Sequence, residues 1–197
     1  MREEKQSGDQ AKSLRGQLIE AGIYELNRYG VQNFSVRRIA ERCGVSCAAP
    51  YKHFKDKYKF IAAIIEYINS IWAERQREVL ENYSASPTRE KIIAIGMDYI
   101  RFLVENPYFR SILMLTNKDF DSEYVQLRGQ LSNISKDLVA VYCSEVGMSD
   151  KNRIIKTFIV RSLLYGAALM FDNGELEYNE ENMAAVAEAV NREFDLP

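Results

Sequence analysis

The chain has 197 residues, 26 Lys plus Arg against 28 Asp plus Glu, 47% hydrophobic residues and 4 Pro, which excludes wholesale disorder and supplies enough apolar matter for a core. Its three Cys fall outside any CxxC spacing, so a disulfide framework is not expected. The polar opening MREEKQSGDQAK and the lack of a long uninterrupted apolar run lead to the expectation of a cytoplasmic protein with no membrane anchor.

No stretch alternates with the period of a strand, whereas apolar residues recur three and four apart, so the expected fold class is all-α, with about nine helices. The first helix is predicted from about Gln10 to Tyr29, with Leu14, Leu18, Ile19, Gly22, Ile23 and Leu26 facing inward and Gly30 as its left-handed cap. Ser35 caps a short second helix whose Val36, Ile39, Ala40 and Cys43 share one face, and Gly44 ends it. Ser46 then caps a third helix, Cys47 to Phe54, and Asp56 a long fourth, Lys57 to about Tyr83. Ser86-Pro87 and Asn106-Pro107 suit the starts of a fifth helix, to Glu105, and a short sixth, to about Leu115. The seventh is predicted over Ser122 to Val146, the eighth from a Ser149 cap to Phe171, and the ninth from an Asn179 cap to Phe194.

Net charge divides this series. Residues 1–60 carry +5 and residues 61–197 carry −7, the pattern of a basic module for a polyanion joined to an acidic one with another task. Within the basic module, two short helices joined by a turn holding Gly44, with Val45 after it and Ser46 opening the second, form a helix-turn-helix. Gly44 takes the positive φ of the turn, Val45 fills the hole beneath it, and Ala40 is small where the helices cross.

The segments LIEAGIYELNRYG, SVRRIAERCGVS and CAAPYKHFKDKYKF, together Leu18 to Phe60, resemble the N-terminal domain of the TetR/AcrR transcriptional regulators. The CAAPYKHF variant, with Pro50 in the third helix, resembles a subgroup that carries a Trp and then a His-Gly pair near the C-terminus. Here that segment has Arg161 and Tyr165-Gly166 instead. The resemblance implies a helix-turn-helix domain over residues 12–72 and an effector-binding and dimerisation domain over 73–197. It places the DNA-facing positions at Ser35, Arg37, Ser46, Cys47, Ala48, Tyr51, Lys52, His53 and Lys57. Of these, Tyr51, His53 and Lys57 are expected on phosphates. Cys47, Ala48 and Lys52 are expected on bases, Lys52 donating to guanine and the Ala48 methyl meeting a thymine methyl.

The resemblance also implies a cavity for a small apolar or amphipathic effector among the helices between Lys57 and Val146. Its expected lining is drawn from Trp72, Met97, Phe102, Phe109, Met114, Phe120, Tyr124 and Tyr142. Arg161, a cation on an apolar helix, either snorkels to solvent or to an acidic partner at an interface, or meets an anionic group of the effector. A homodimer is expected through the last two helices, where Ile155, Phe158, Ile159, Ser162, Leu163 and Gly166, with Met183, Val186, Ala187 and Val190, combine apolar and small residues. Its partner is then double-stranded DNA with an inverted-repeat operator. The whole reads as a ligand-modulated repressor. No nucleophile and base pair, phosphate-binding Gly loop or metal cluster is legible, so neither an enzyme nor a cofactor nor a metal is expected. The rival readings are a partner-binding protein on the same scaffold and a redox sensor acting through Cys47, whose thiolate a helix N-terminus and nearby Lys52 would favour.

Overall fold

The computed structural model describes residues 13–113, 126–127 and 132–195. Those residues form eight α-helices and one 3₁₀ turn, with no strand among them. The helices are α1 (Leu14–Tyr29), α2 (Val36–Arg42), α3 (Lys57–Asn82), α4 (Thr88–Glu105), α5 (Pro107–Leu113), α6 (Asn133–Val146), α7 (Asp150–Asn173) and α8 (Glu180–Glu193). They divide into two compact units: one runs to Ser70 and takes in Tyr108–Gln130, and the other comprises Ile71–Pro107 and the chain from Leu131 on.

Helix starts follow side-chain chemistry. Ser35 accepts from the Arg38 amide at 3.3 Å, Ser149 from Asn152 at 3.3 Å and Asn179 from Asn182 at 2.9 Å, each satisfying a donor that the first helical turn leaves open. Asp56 does the same for Lys59 at the head of α3, at 2.8 Å. At Ser86-Pro87 the expectation is off by one: Pro87 itself occupies the cap position, with no side-chain bond, and α4 starts at Thr88. The predicted helix from Ser122 to Val146 is not one described piece. Gln126 and Leu127 are helical, Ser132 lies in a turn, and α6 begins at Asn133.

The larger departure is the third predicted helix. Cys47 to Phe54 forms no α-helix; Pro50–Lys52 is a 3₁₀ turn. The Ala49 amide donates to the Ser46 carbonyl at 2.9 Å and Lys52 to Ala49 at 3.1 Å, both three-residue closures. Pro50 has no N–H to offer to a four-residue closure, and it stands at the first position of the tight turn.

The first unit is built around the start of α3, where Phe60, Ile61, Ile64, Ile65 and Ile68 are fully buried with Leu18, Ile19 and Ile39. Phe54 stacks on Phe60 with ring centres 3.9 Å apart, and Phe34 meets Phe60 edge-on at 5.5 Å. Gly22 lets α1 approach α3 this closely, since a Cβ there would lie 2.6 Å from Ile64 Cδ1 and 3.2 Å from Phe60. In the second unit α4 packs against α6, α7 and α8, and α8 against α7. Ion pairs staple it: Arg75 holds Asp98 through Nε at 2.7 Å and Nη2 at 2.9 Å. Arg89 reaches Asn191 and Asp195 at the end of α8, and Lys156 donates to the Glu193 carbonyl at 2.7 Å.

Candidate nucleic-acid interface

α2 ends in a closed turn. The Val45 amide donates to the Ala40 carbonyl at 3.0 Å and Gly44 sits at φ 68°, the left-handed position that lets the chain reverse and that a side chain would strain. Val45 is half-buried beneath the turn, and Ile39 and Ala40 are buried against the first unit's core. After this reversal, Ser46, Cys47 and Ala48 are exposed, as are Tyr51, Lys52 and His53, while Pro50 and Phe54 turn inward. Phe54 is clamped between Phe60 and the Arg15 guanidinium, 5.5 Å from its ring centre. The buried pair Pro50 and Phe54 therefore holds the tight turn down, so that three consecutive side chains, 51 to 53, project from it.

On α2, Ser35 is spent as the cap, and Arg37 is outward with its Nε 2.9 Å from Glu41 Oε1. Lys57 donates from Nζ to the Gln32 carbonyl at 3.1 Å. This ties the head of α3 to the loop before α2, beside the Ser35 cap. The nine sequence-predicted positions thus divide into seven exposed side chains, one capping serine and one lysine that bridges loop and helix.

The residue that sequence reasoning missed here is Glu25. It is 4% exposed and accepts from the Ser35 amide at 3.1 Å, from Arg38 Nε at 2.8 Å and from Arg38 Nη2. Arg38 also reaches the Asn33 carbonyl and covers the Tyr29 ring. One carboxylate therefore fastens the start of α2 to α1. The signal was available, because Glu25 stands seven residues after Leu18 and three after Gly22, inside the apolar stripe of α1.

Thiol chemistry is unevenly placed. Cys47 is exposed, Cys43 half-buried and Cys143 buried. Burial pushes the Cys43 and Cys143 thiols up from their ordinary value, and Cys43 Sγ donates to the Gln17 carbonyl at 3.6 Å.

The expected effector residues are dispersed. Trp72, Met97, Phe102 and Tyr142 are buried in the second unit, where Trp72 lies 5.1 Å from both Tyr99 and Phe102 and Tyr142 packs edge-on against Phe194. Phe109 belongs to the first unit, half-buried on α5. Met114, Phe120 and Tyr124 lie outside the described residues. Arg161 is exposed on α7, its guanidinium 5.9 Å from the Tyr165 ring. Tyr165 in turn shares a hydroxyl–hydroxyl bond of 3.1 Å with Tyr99.

The expected dimer residues separate by helix. On α7, Phe158 is 70% exposed and Ile155 46%, with Ser162 exposed and Ile159, Leu163 and Gly166 half-buried. Ile154, Leu169 and Met170, which the sequence reading passed over, are exposed on the same helix. On α8 the expectation needs correcting, because Met183 and Val190 are buried within the protomer and only Val186 and Ala187 are half-open. The apolar face of α8 is used on α4 and α7 of its own chain. By length and composition α7 is apolar enough to cross a membrane, with a mean hydropathy of 1.6 over eighteen residues.

Comparison with known proteins bears on this arrangement. Residues 18–64 match the family model described as bacterial regulatory proteins, tetR family. An HTH-type transcriptional regulator of Staphylococcus aureus (strain USA300) is 26% identical over 97 residues, 49% of this chain and 51% of that one. The chain thus spans about half the length of the curated relatives it matches. In fold it is similar to a TetR family transcription regulator from Marinobacter aquaeolei VT8, with a TM-score of 0.73, 20% identity and coverage of 96% and 97% of the two chains. It is also similar to the transcriptional regulator FadR from Bacillus subtilis, solved in complex with stearoyl-CoA, with a TM-score of 0.63, 15% identity and coverage of 89% and 95%. The matched segment, residues 18–64, which holds the helix-turn-helix, thus resembles the tetR family of bacterial regulatory proteins, and the described residues around it share the helical fold of the solved regulators.

Proposed function

We propose that the chain is a cytoplasmic, homodimeric, operator-binding transcriptional regulator, a repressor whose grip on an inverted repeat is altered by a small apolar or amphipathic effector, and that it is not an enzyme. The observation that carries this reading is the exposed array Ser46, Cys47, Ala48, Tyr51, Lys52 and His53, presented from a turn locked by Gly44, Pro50 and Phe54 beside outward Arg37. Tyr51, His53, Lys57 and Arg37 position the domain on phosphates, and Lys52 with Cys47 and Ala48 reads bases. So few hydrogen-bonding side chains in the reading set leave part of the specificity to DNA shape.

The division of labour follows: residues 12–72 bind DNA and residues 73–197 take the effector and the second copy. The exposed Ile154, Ile155 and Phe158 of α7 support a protein neighbour on that face rather than lipid. Arg161, on the same open side, suits a place at the rim of that interface better than one in a cavity. The likeness in fold to a regulator holding stearoyl-CoA makes molecules with a long apolar chain a first class of effector to try.

The test is a mobility-shift titration of the purified chain against genomic fragments at rising salt. The reading expects tight binding at low salt that falls with a slope of about 0.9 per phosphate contacted, and no binding at low salt sinks it in favour of a protein-binding role. For the dimer, Phe158→Glu is expected to give monomers by light scattering at micromolar concentration with unchanged helicity. A dimer that survives the change moves the interface off α7.

A further inference from the structure

Asn69 stands in the middle of α3, four residues beyond Ile65 and one beyond Ile68, both fully buried. An amide is a poor choice there on two counts: it forms helix weakly, and it brings a polar group to an apolar surface. Its Nδ2 donates to the Leu127 carbonyl at 2.7 Å. That bond fixes which way the amide lies, since the flipped orientation would set two acceptor oxygens against each other. Oδ1 is then directed elsewhere; it is sealed from solvent and has no hydrogen-bond partner among the described residues. The nearest hydroxyl in sequence is committed, because Ser70 Oγ donates to the Tyr67 carbonyl at 2.8 Å.

A buried acceptor of this kind discriminates sharply. It costs stability unless a donor reaches it, and it rejects a ligand that presents only oxygen lone pairs. We propose that Asn69 Oδ1, on α3 within the first unit and ahead of residue 73, is a polar reading point for the effector in its own right, accepting a hydrogen bond from a hydroxyl or amino group on an otherwise apolar molecule. This inference rests on the reading of the chain as an effector-responsive regulator, and it narrows the effector class to amphipathic alcohols, phenols and amines. Ethers, esters, thioesters and ionised carboxylates, which carry no donor, are disfavoured at this atom.

The test uses the purified full chain and two matched pairs: decanol with decyl methyl ether, and propylphenol with its methyl ether. Binding is read by thermal shift and calorimetry, and operator affinity by mobility shift in the same samples. The donor member of each pair is expected to bind at least about tenfold more tightly than its methylated partner. Asn69→Leu should bring each pair within about twofold, and Asn69→Asp should favour decylamine over decanol by about tenfold. Circular dichroism checks that each variant folds; if Asn69→Leu does not, the Asp variant's preference decides alone. Equal binding of the methylated compounds to the unaltered chain, no binding of either donor, a donor preference that survives in Asn69→Leu, or an Asp variant with no preference for decylamine overturns the proposal. Release of the operator by ethers and alcohols alike would sink the Asn69 role and spare the regulator. Donors that bind without moving operator affinity would do the reverse.

Discussion

The two units handle their cations in opposite ways. In the first, Arg37 is 78% exposed along its side chain, and Lys52 and Lys55 also point to solvent. In the second, Arg75 is turned onto Asp98 and Glu105, Arg89 onto Asp195, and Lys156 onto Glu193. These inward pairs join residues 23, 30, 106 and 37 positions apart, so they close the tertiary structure, whereas the Arg37 to Glu41 pair spans one helical turn. A charge spent on a distant carboxylate contributes to stability and little to binding, while a charge held outward on a fixed frame is available to an external anion. Total charge alone hides this distinction: the chain as a whole carries −2, yet its basic side is concentrated where the cations are unspent.

Glu25 is the exception that tests the contrast, since it is an inward carboxylate in the outward unit. Glu25→Ala is expected to cost about 3 kcal/mol, because Arg38 and the Ser35 amide lose their shared acceptor. Thermal melts should show the loss, and Glu25→Gln should recover part of it. Melting unchanged within error would mean that α2 is held by its apolar face alone.

Next in size is Arg75→Ala, expected to cost about 2 kcal/mol, below the value for a fully buried pair because Arg75 retains 26% side-chain exposure. Its operator affinity, normalised to folded protein, should be unchanged. A change in the salt dependence of DNA binding would break the division between spent and available cations.

Lys52→Ala and Arg37→Ala should leave the melting temperature where it is and act on DNA only. Each is expected to lower the salt slope by about 0.9, and Lys52→Ala alone to alter base preference as well. If Lys52→Ala weakened every sequence equally, its base-reading role would be wrong.

The smallest effect concerns pH. A hydrogen bond from Arg89 holds the Asp195 carboxyl below its ordinary value. Its stabilisation is therefore present above about pH 4, the unfolded carboxylate value, and fades as pH falls through the lower folded value. Asp195→Asn should slightly lower stability near neutrality, with the difference from the unaltered chain shrinking as pH falls through the carboxyl's folded value; a difference that persists undiminished in acid would mean that the pair with Arg89 is not its source.

What could be read from the residues alone tracks how local each determinant is. The caps at Ser35, Asp56, Ser149 and Asn179 and the reversal at Gly44 depend on three or four neighbouring residues, and each was legible. The tight turn at Pro50–Lys52 was not, although its cause lies in the chain: the N–H that Pro50 lacks favours a change of helix type where the spacing suggests an α-helix. Met183 and Val190 were misassigned to an interface for a different reason. An apolar stripe announces that it will be covered, but its spacing does not say whether the cover is α4 and α7 of the same protomer or a second copy. Glu25 is harder to read because its position within the apolar stripe says that it is buried but not that Arg38 and the Ser35 amide, 13 and 10 residues on, are its partners.

The 3₁₀ geometry bears on attempts to reprogram this protein. In a turn with three residues per revolution, positions three apart eclipse and successive side chains splay by about 120°, against about 100° in an α-helix. Residues transplanted one for one from an α-helical reader into positions 50 to 52 would therefore land on different azimuths from those they left, even with identical spacing in the sequence. Replacing Pro50 before any such transplant would restore a missing amide and with it the option of a four-residue closure. A designer would then be choosing the coordinate frame first and the letters second.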